Sequence, residues 1–307
     1  MARSVGVRIA WFLLSAAVAR ADVTLLLEEP YGNFGGLTPT GHAAVYFSRV
    51  CAESPTALRR CNPGEEGAVI SRYHRVGGYD WVAIPLVPYL YAVAYADEIP
   101  SAATREEAAA LRDDYRRRHL EDVAPDESDG ATPPGDWTQL VGEAYDRTIY
   151  GFTIETTEQQ DDELIELLNS RPNRNRFNLL FHNCADFARN IIDFYYPKAV
   201  HRSFIADLGI MTPKQAAKSL VHYSHQHRDL AFSGFVIRQV PGEARSRAVR
   251  GVLESLVKSK KYALPLAGLA VLHPLFGGSL AFAWVEGSQF NPRRIAVNQL
   301  RLSQEAP

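Results

Sequence analysis

A cysteine and a histidine, separated by much of the chain, are the two residues whose types and settings best suit chemistry. Cys184 follows Asn183, a good helix N-cap, and the apolar residues after it recur with the three-and-four spacing of one helix face. At that position, free backbone N–H groups and the positive end of the helix dipole stabilise a thiolate, the nucleophilic form of cysteine. His42 follows a Gly-rich loop at the start of a predicted strand and could be the base that this nucleophile needs. The pair predicts attack on a carbonyl carbon, although each residue alone is more often structural.

The N-terminal residues predict export from the cytoplasm. Residues 1–21 have a basic start, an apolar stretch and a small-residue cleavage site, which together are typical of a secretory signal peptide. Thiols that lie close together become oxidised in such a compartment. Cys51 and Cys61 flank a short loop-like segment and are therefore predicted to form a disulfide, which leaves Cys184 as the one free thiol. We expect a periplasmic or other cell-envelope protein.

Length and charge limit the possible organisation of the chain. The 307 residues carry a formal net charge of −2, and the basic residues are dispersed, so a nucleic-acid partner is not expected. The length allows one sizeable domain and an appendage, or two small domains. We expect a catalytic domain over residues 22–240 and a hydrophobic, membrane-associated tail over residues 241–307.

The patterns of apolar residues predict the elements that would hold the two candidate residues. The segment from Phe177 to Phe181 has the composition of a buried strand, and a helix from Cys184 should end before Pro197. Further strands are predicted at 23–27, 41–47, 68–73, 81–86, 90–95, 152–156 and 232–239, and further helices at 103–120, 137–150, 157–169 and 213–223.

An almost continuous apolar segment at 262–285 is long enough to cross a bilayer. His273-Pro274 and Gly277-Gly278 interrupt it, and basic residues flank it on both sides, so the distribution of positive charge favours neither orientation. A membrane span, a re-entrant or interfacial hairpin, and a hairpin buried in a soluble domain all remain open. A membrane is the partner that this segment predicts.

The order of the motifs resembles a known group of enzymes. A Gly41-His42 strand near the N-terminus and a later Asn183-Cys184 helix are similar to the circularly permuted papain-like proteins, which include lecithin:retinol acyltransferase-like enzymes. In the related NlpC/P60 enzymes the cysteine helix comes first and the histidine strand later. Among these, the sequence most resembles the N-terminal periplasmic domain family of the Lnb-type lipoprotein N-acyltransferases. The resemblance covers roughly residues 27–196 and rests on the two short motifs. The tail of this chain differs, because it has one apolar segment where that family has several membrane helices.

The resemblance implies a fold, an activity and a set of site residues. The fold would be α+β and permuted papain-like, with an antiparallel sheet packed on the cysteine-bearing helix. The activity would be that of a cysteine hydrolase or acyltransferase, acting on a lipid acyl ester or a cell-envelope peptide amide without a metal or organic cofactor. Permuted papain-like enzymes take the third catalytic residue from the strand after the histidine strand. Its candidates here are Ser71, Tyr73, His74 and Asp80, of which we favour His74.

Two alternatives compete with this interpretation. The histidines at positions 222, 225 and 227 have spacing suited to a transition metal, but a solvated polar helix end explains them better. A non-catalytic envelope protein that kept the fold as a binding or scaffold module is the rival function. His182 and Asp186, which flank the cysteine motif, are expected to be capping or surface residues.

Overall fold

The structure, a computed structural model, describes residues 21–32, 40–133, 136–174, 177–295 and 298–299. The predicted signal peptide lies outside the described residues, except for Ala21, which begins the first strand.

A seven-stranded sheet forms the centre of the fold, with strands in the spatial order β6-β5-β2-β1-β7-β8-β9. Every pairing in it is antiparallel except that of the two-residue β9, which runs parallel to β8. The fold is therefore α+β with an antiparallel sheet, and β3 and β4 form a separate hairpin. The strands are β1 (Ala21–Glu28), β2 (His42–Phe47), β3 (Val50–Ser54), β4 (Ala57–Arg60), β5 (Ala68–Ser71), β6 (Val82–Pro85), β7 (Ile149–Thr156), β8 (Phe232–Ile237) and β9 (Asn298–Gln299).

Nine α-helices lie within the described residues, several of them only one or two turns long. They are α1 (Leu86–Tyr91), α2 (Arg105–His119), α3 (Glu143–Asp146), α4 (Glu158–Ser170), α5 (Cys184–Tyr195), α6 (Pro213–Gln226), α7 (Val252–Lys258), α8 (Lys260–Leu272) and α9 (Pro274–Ser288).

The central sheet has an apolar cluster on each face, because side chains alternate along a strand. Leu25 and Leu27 of β1 pack in the cluster that contains α5 and α6, whereas Leu26 packs in the cluster that contains α1, α2 and α3. In β2, Ala43 and Val45 face α5. Small residues on both sides of this contact, including Ala185 and Ala188 of α5, let the helix pack closely on the strand.

The structure differs from the sequence-based prediction before α5. The segment from Phe177 to Phe181 is a tight turn rather than a buried strand, and Leu179, Leu180 and Phe181 are all exposed. Asn178 stabilises the turn, since its side-chain oxygen accepts hydrogen bonds from the backbone N–H groups of Leu180 and Phe181. Its backbone also exchanges two hydrogen bonds with His182.

Two further elements were predicted with the wrong type. The segment at 90–95 is not a strand, because the chain forms α1 and leaves it through Ala92 in the left-handed region. Pro88 is tolerated because it lies in the first turn of α1, where backbone N–H groups have no partner within the helix. The helix predicted at 137–150 is divided by Gly142 at φ 75° into a 3-10 turn, α3 and the start of β7.

The predicted disulfide is confirmed. Cys51 and Cys61 are bonded across the β3–β4 hairpin with their Cα atoms 4.9 Å apart, and Cys184 is a free thiol. The hairpin also contacts α4, where Arg60 pairs with Asp162 at 2.5 Å.

The apolar segment at 262–285 is divided between α8 and α9, with His273 between the two helices. In the described part of the chain, no helix has both the length and the apolar character needed to cross a membrane. Most large side chains of the pair are exposed, so the alternative of a hairpin buried in the domain is contradicted.

Candidate active site

The turn that precedes α5 and the cap of that helix together position Cys184. The Asn183 side-chain oxygen accepts the Asp186 backbone N–H at 2.9 Å and so caps the helix. The Asn183 amide nitrogen donates to the carbonyl oxygens of Leu179 at 3.0 Å and Met211 at 2.9 Å. These three bonds fix the turn, the first turn of α5 and the loop before α6 against one another. Asp186 is buried and pairs with Arg202, while His182 is exposed.

The sulfur of Cys184 lies against the first peptide groups of β2. The backbone N–H groups of Ala43 and Ala185, together with that of Cys184 itself, lie close enough to the sulfur to favour a thiolate. Burial has the larger effect and raises the pKa of the thiol to about 11, with the charge of Glu28 adding to the increase. The thiol is therefore favoured at neutral pH over the thiolate expected from the helix start, although the Cys184 side chain is only partly buried and lines a cavity.

Gly41 lets the chain enter β2 directly beside β1. Its φ is 75°, and a Cβ at this position would lie 2.0 Å from the Glu28 carbonyl oxygen. Any other residue would push the start of β2 away from β1. His42 is the next residue and the first of the strand, so its backbone position depends on this close approach.

Hydrogen bonding fixes the tautomer of the His42 ring. The Ser71 hydroxyl donates a hydrogen bond to the Ala43 carbonyl oxygen at 2.7 Å. The Ser71 Oγ also lies 2.9 Å from His42 Nε2. A hydroxyl has one proton, so Ser71 must accept from Nε2–H. The neutral ring therefore carries its lone pair on Nδ1, where it can accept a proton. Tyr73 stacks on the ring with centroids 5.1 Å apart and holds its orientation.

A buried cluster of charged groups lies behind His42. Glu28 is the direct cross-strand neighbour of His42, and its Oε2 lies 3.1 Å from Arg147 Nη1. Arg147 Nε lies 2.8 Å from an oxygen of Glu143, so one guanidinium serves two carboxylates. Burial raises the pKa of Glu143 well above its usual range, an increase that the charge of Arg147 opposes. Tyr89 donates a hydrogen bond to Glu28 from the other side.

Burial also determines the charge of His42. It lowers the pKa of the imidazole to about 4, a decrease that Glu28 opposes and Arg147 reinforces. At neutral pH the ring is therefore uncharged. The ligand-free site holds a thiol and a neutral imidazole rather than an ion pair.

One cavity of about 630 Å³ brings the predicted residues together, since Cys184, His42 and His74 all line it. The alternation of side chains turns His42 toward the sheet face that carries Tyr73, whereas the next residue, Ala43, faces α5. Both reactive side chains nevertheless line the cavity. The remaining lining is largely apolar and includes Phe177, Leu179, Leu180, Ile210, Met211, Val252, Leu256 and Tyr262.

The candidates for the third catalytic residue occupy different places. Ser71 bonds the His42 ring and Tyr73 stacks on it, as described above. His74 is exposed and packs its ring against Phe177 with centroids 5.2 Å apart. Asp80 pairs with Arg72 at 2.6 Å. Ser71 therefore hydrogen bonds to the ring in the described structure, while a catalytic role for His74 stays a prediction.

The histidines considered as zinc ligands are arranged differently from a metal site. His227 stacks on Tyr223, whereas His222 and His225 face a second cavity of about 800 Å³. Within the described ranges, the one group of three potential ligands with converging donor atoms is formed by Cys51, Cys61 and Glu65. Its two sulfurs are bonded to each other, so it lacks the thiolates that a metal would need.

Sequence reasoning missed the charged cluster behind the histidine. The available signal was Glu28-Glu29 directly after the apolar run at 23–27, since carboxylates rarely end a buried strand unless they are paired. Arg147 gave no comparable signal, because only the pairing of β7 with β1 brings it to Glu28.

Comparisons with known proteins add no assignment to this geometry. No family model, curated protein sequence or solved structure matches the chain.

Proposed function

We propose that the chain is an exported cysteine-dependent hydrolase or acyltransferase of permuted papain-like arrangement, with Cys184 as nucleophile and His42 as base. The observation that carries this proposal is that Cys184 and His42 line one cavity. The Ala43 N–H, in the residue that follows His42, also lies close enough to the Cys184 sulfur to favour its thiolate form. The order of the histidine strand and the Asn-Cys helix supports the same assignment.

The proposed reaction has two halves. As the sulfur attacks an acyl carbonyl carbon, the S–H proton moves to His42 Nδ1, the S–C bond forms, and the carbonyl oxygen becomes an oxyanion. Backbone N–H groups at the start of α5 are the proposed donors to that oxyanion. The bond to the leaving group then breaks as His42 returns its proton to that group, which leaves a thioester. Water or an acceptor nucleophile, deprotonated by His42, next attacks the thioester and releases Cys184 as a thiol.

The resting charges fit a base that acts during attack. Burial penalises a lone thiolate and a lone imidazolium, but the two charges form together when the proton moves, and each then offsets part of the cost of the other. We assign Ser71 the role of orienting the His42 ring so that Nδ1 can accept a proton. His74 was the residue favoured from the sequence for this third position. The apolar cavity lining suits an acyl chain of a lipid ester, and an envelope peptide amide is the other substrate class.

Intact-mass spectrometry after incubation with an activated acyl ester tests the proposal. We expect one acyl group per chain, located on Cys184 and released by neutral hydroxylamine as a thioester would be. Cys184→Ala should abolish the adduct, and His42→Ala should slow its formation about 100-fold, the size typical of general base catalysis. His225→Ala, at an exposed position, is the matched control and should react at the wild-type rate.

Two results would contradict the proposal. One is an acylation rate that His42→Ala leaves unchanged. The other is a native protein that forms no adduct while its thiol reacts only after unfolding. The second result would favour the binding or scaffold role.

A further inference from the structure

Three segments beside the cysteine cavity expose large apolar side chains. The first is the turn of Leu179, Leu180 and Phe181. The second is the loop that carries Phe204, Ile205 and Leu208, and the third is the hairpin formed by α8 and α9. Exposure is greatest in the hairpin, where Leu275 is 90 % and Val271 81 % accessible. Exposed apolar area of this extent usually marks an interaction surface.

Polar contacts join the turn and the loop into one surface. Arg202 donates to the Leu180 carbonyl oxygen at 3.4 Å and to the Gly209 carbonyl oxygen at 2.7 Å. Its guanidinium also lies 5.6 Å from the centre of the Phe181 ring. The turn and the loop therefore hold fixed positions relative to each other.

The base of the hairpin is attached to the same loop. Asp207 accepts the Val252 backbone N–H of α7 at 2.7 Å, and α7 leads directly into α8. At the other end of the hairpin, Lys218 of α6 pairs with Glu286 of α9, and Phe290 packs into the domain core. Both ends of the pair are therefore held by the domain.

The distribution of apolar residues favours lipid over a protein partner. Between positions 262 and 285, the hairpin has no Asp, Glu, Lys or Arg. Val271, Leu272 and Leu275 point in different directions around the helices, yet each is more than 70 % exposed. A docked protein would cover one face and leave the others in water, whereas lipid can surround a hairpin that is apolar on all sides.

The dimensions of the hairpin match one leaflet of a bilayer. With 13 residues in α8 and 15 in α9, the helices are about 20 Å long, against about 15 Å for half of the hydrocarbon core. A tilted hairpin of this length ends near the bilayer midplane. Gly277 permits the tight turn, because a Cβ there would lie 2.8 Å from the Ala270 carbonyl oxygen.

The residues at the base suit the headgroup region. Tyr262 begins the apolar part of α8, and Trp284 lies near the end of α9, as in the aromatic belts of membrane proteins. Lys261 and Arg294 are exposed on either side of the hairpin and would face anionic headgroups.

We propose that the α8–α9 hairpin inserts into one leaflet of a phospholipid bilayer, with the turn and the loop resting on its surface. Lys261 and Tyr262 also line the cysteine cavity, so its mouth would lie at the membrane surface. The docking does not depend on the proposed chemistry. The statement that a bilayer-held substrate would reach Cys184 through this mouth rests on the proposed function.

The intrinsic fluorescence of Trp284 tests the insertion in the wild-type protein. The purified protein is diluted from mild detergent into phosphatidylcholine vesicles, with or without phosphatidylglycerol, whose acyl chains are brominated at shallow or deep positions. Trp81 and Trp137 are buried in the domain and Trp11 lies in the predicted signal peptide, so quenching should report Trp284. We expect stronger quenching by the shallow bromines, and Trp284→Phe gives the background.

A charge at the tip of the hairpin tests the same contact by vesicle flotation. Leu275→Glu should lower the partition coefficient about 100-fold, the effect expected for a charge placed at membrane depth. Ala109→Glu introduces the same charge at an exposed helical position of α2 and should bind like wild type. Cys184→Ser should also bind like wild type, which separates a failure of docking from a failure of the chemistry.

Several outcomes would overturn the proposal. The first is that brominated lipids do not quench Trp284, and the second is that Leu275→Glu and wild type float equally well with vesicles. The third is that the protein forms a dimer in buffer, does not bind vesicles, and becomes a monomer on Leu275→Glu. The last outcome would assign the hairpin to a second copy of the chain.

Discussion

His42 should make the folded protein sensitive to mild acid. Burial lowers its pKa from 6.5 to about 4. Between these two pH values the His42 imidazole is therefore protonated in the unfolded chain but neutral in the folded protein. The free energy of unfolding should therefore fall as the pH decreases through this window and level off below pH 4. At about 1.4 kcal/mol per pKa unit, the full loss is about 3 kcal/mol.

Urea unfolding of wild type and His42→Gln at a series of pH values measures this effect. Glutamine keeps an N–H donor near Ser71 but does not titrate. The difference between the two curves of unfolding free energy against pH therefore gives the contribution of His42 without that of the carboxylates. Wild type should lose about 3 kcal/mol more than the variant across the window. His225→Gln, which removes an exposed imidazole, is the matched control. Parallel curves for wild type and His42→Gln between pH 6.5 and pH 4 would refute the assignment of a buried, neutral His42.

Further expectations concern the thiols and the hydroxyl beside the ring. The rate at which Cys184 reacts with a thiol probe should rise about tenfold per pH unit above neutrality. Only the thiolate reacts, and burial raises the pKa of the thiol to about 11. A rate that no longer changes with pH near neutrality would contradict this. Ser71→Ala should destabilise the fold by about 1–3 kcal/mol, because it leaves the buried His42 N–H without an acceptor. In a steady-state assay the same variant should lower kcat with little change in KM, and an equal effect on both would argue against a role in positioning the ring. Replacing Cys51 and Cys61 together by serine should cost about 2–3 kcal/mol in chemical unfolding, as expected for a short closed loop, while the free-thiol count of the native protein stays at one.

The sequence predicted the elements whose signals are local. Asn183 as a cap, the apolar spacing after Cys184 and Pro197 as a stop are all contained within one short stretch, and α5 follows them closely. The disulfide was predictable because Cys51 and Cys61 are near each other and Cys184 is distant.

What could not be predicted depends on contacts between distant segments. The segment from Phe177 to Phe181 has the composition of a strand, but no sheet edge receives it, and Asn178 stabilises a turn instead. The pKa of the thiol was expected to be low from the helix start alone, whereas the burial that raises the pKa of Cys184 arises only when β2 and α5 pack together. Choosing Ser71 among the candidates likewise required the register of β2 against β5.

The cluster of Glu28, Glu143 and Arg147 limits how this protein can change by single substitutions. Replacing Arg147 alone would leave Glu28 and Glu143 buried without the cation that they share, and replacing Glu28 alone would leave the buried guanidinium with one carboxyl partner fewer. Either change should reduce the yield of folded protein. Exchanging all three for apolar residues of similar volume removes the charges together and should be far better tolerated. A library of variants at these three positions, scored for the yield of folded protein, should therefore show strongly non-additive effects. Variants with one or two replacements should fold less well than either the wild type or the fully apolar variant. The charged groups around His42 should therefore be retained, because each single substitution that removes one of them destabilises the fold.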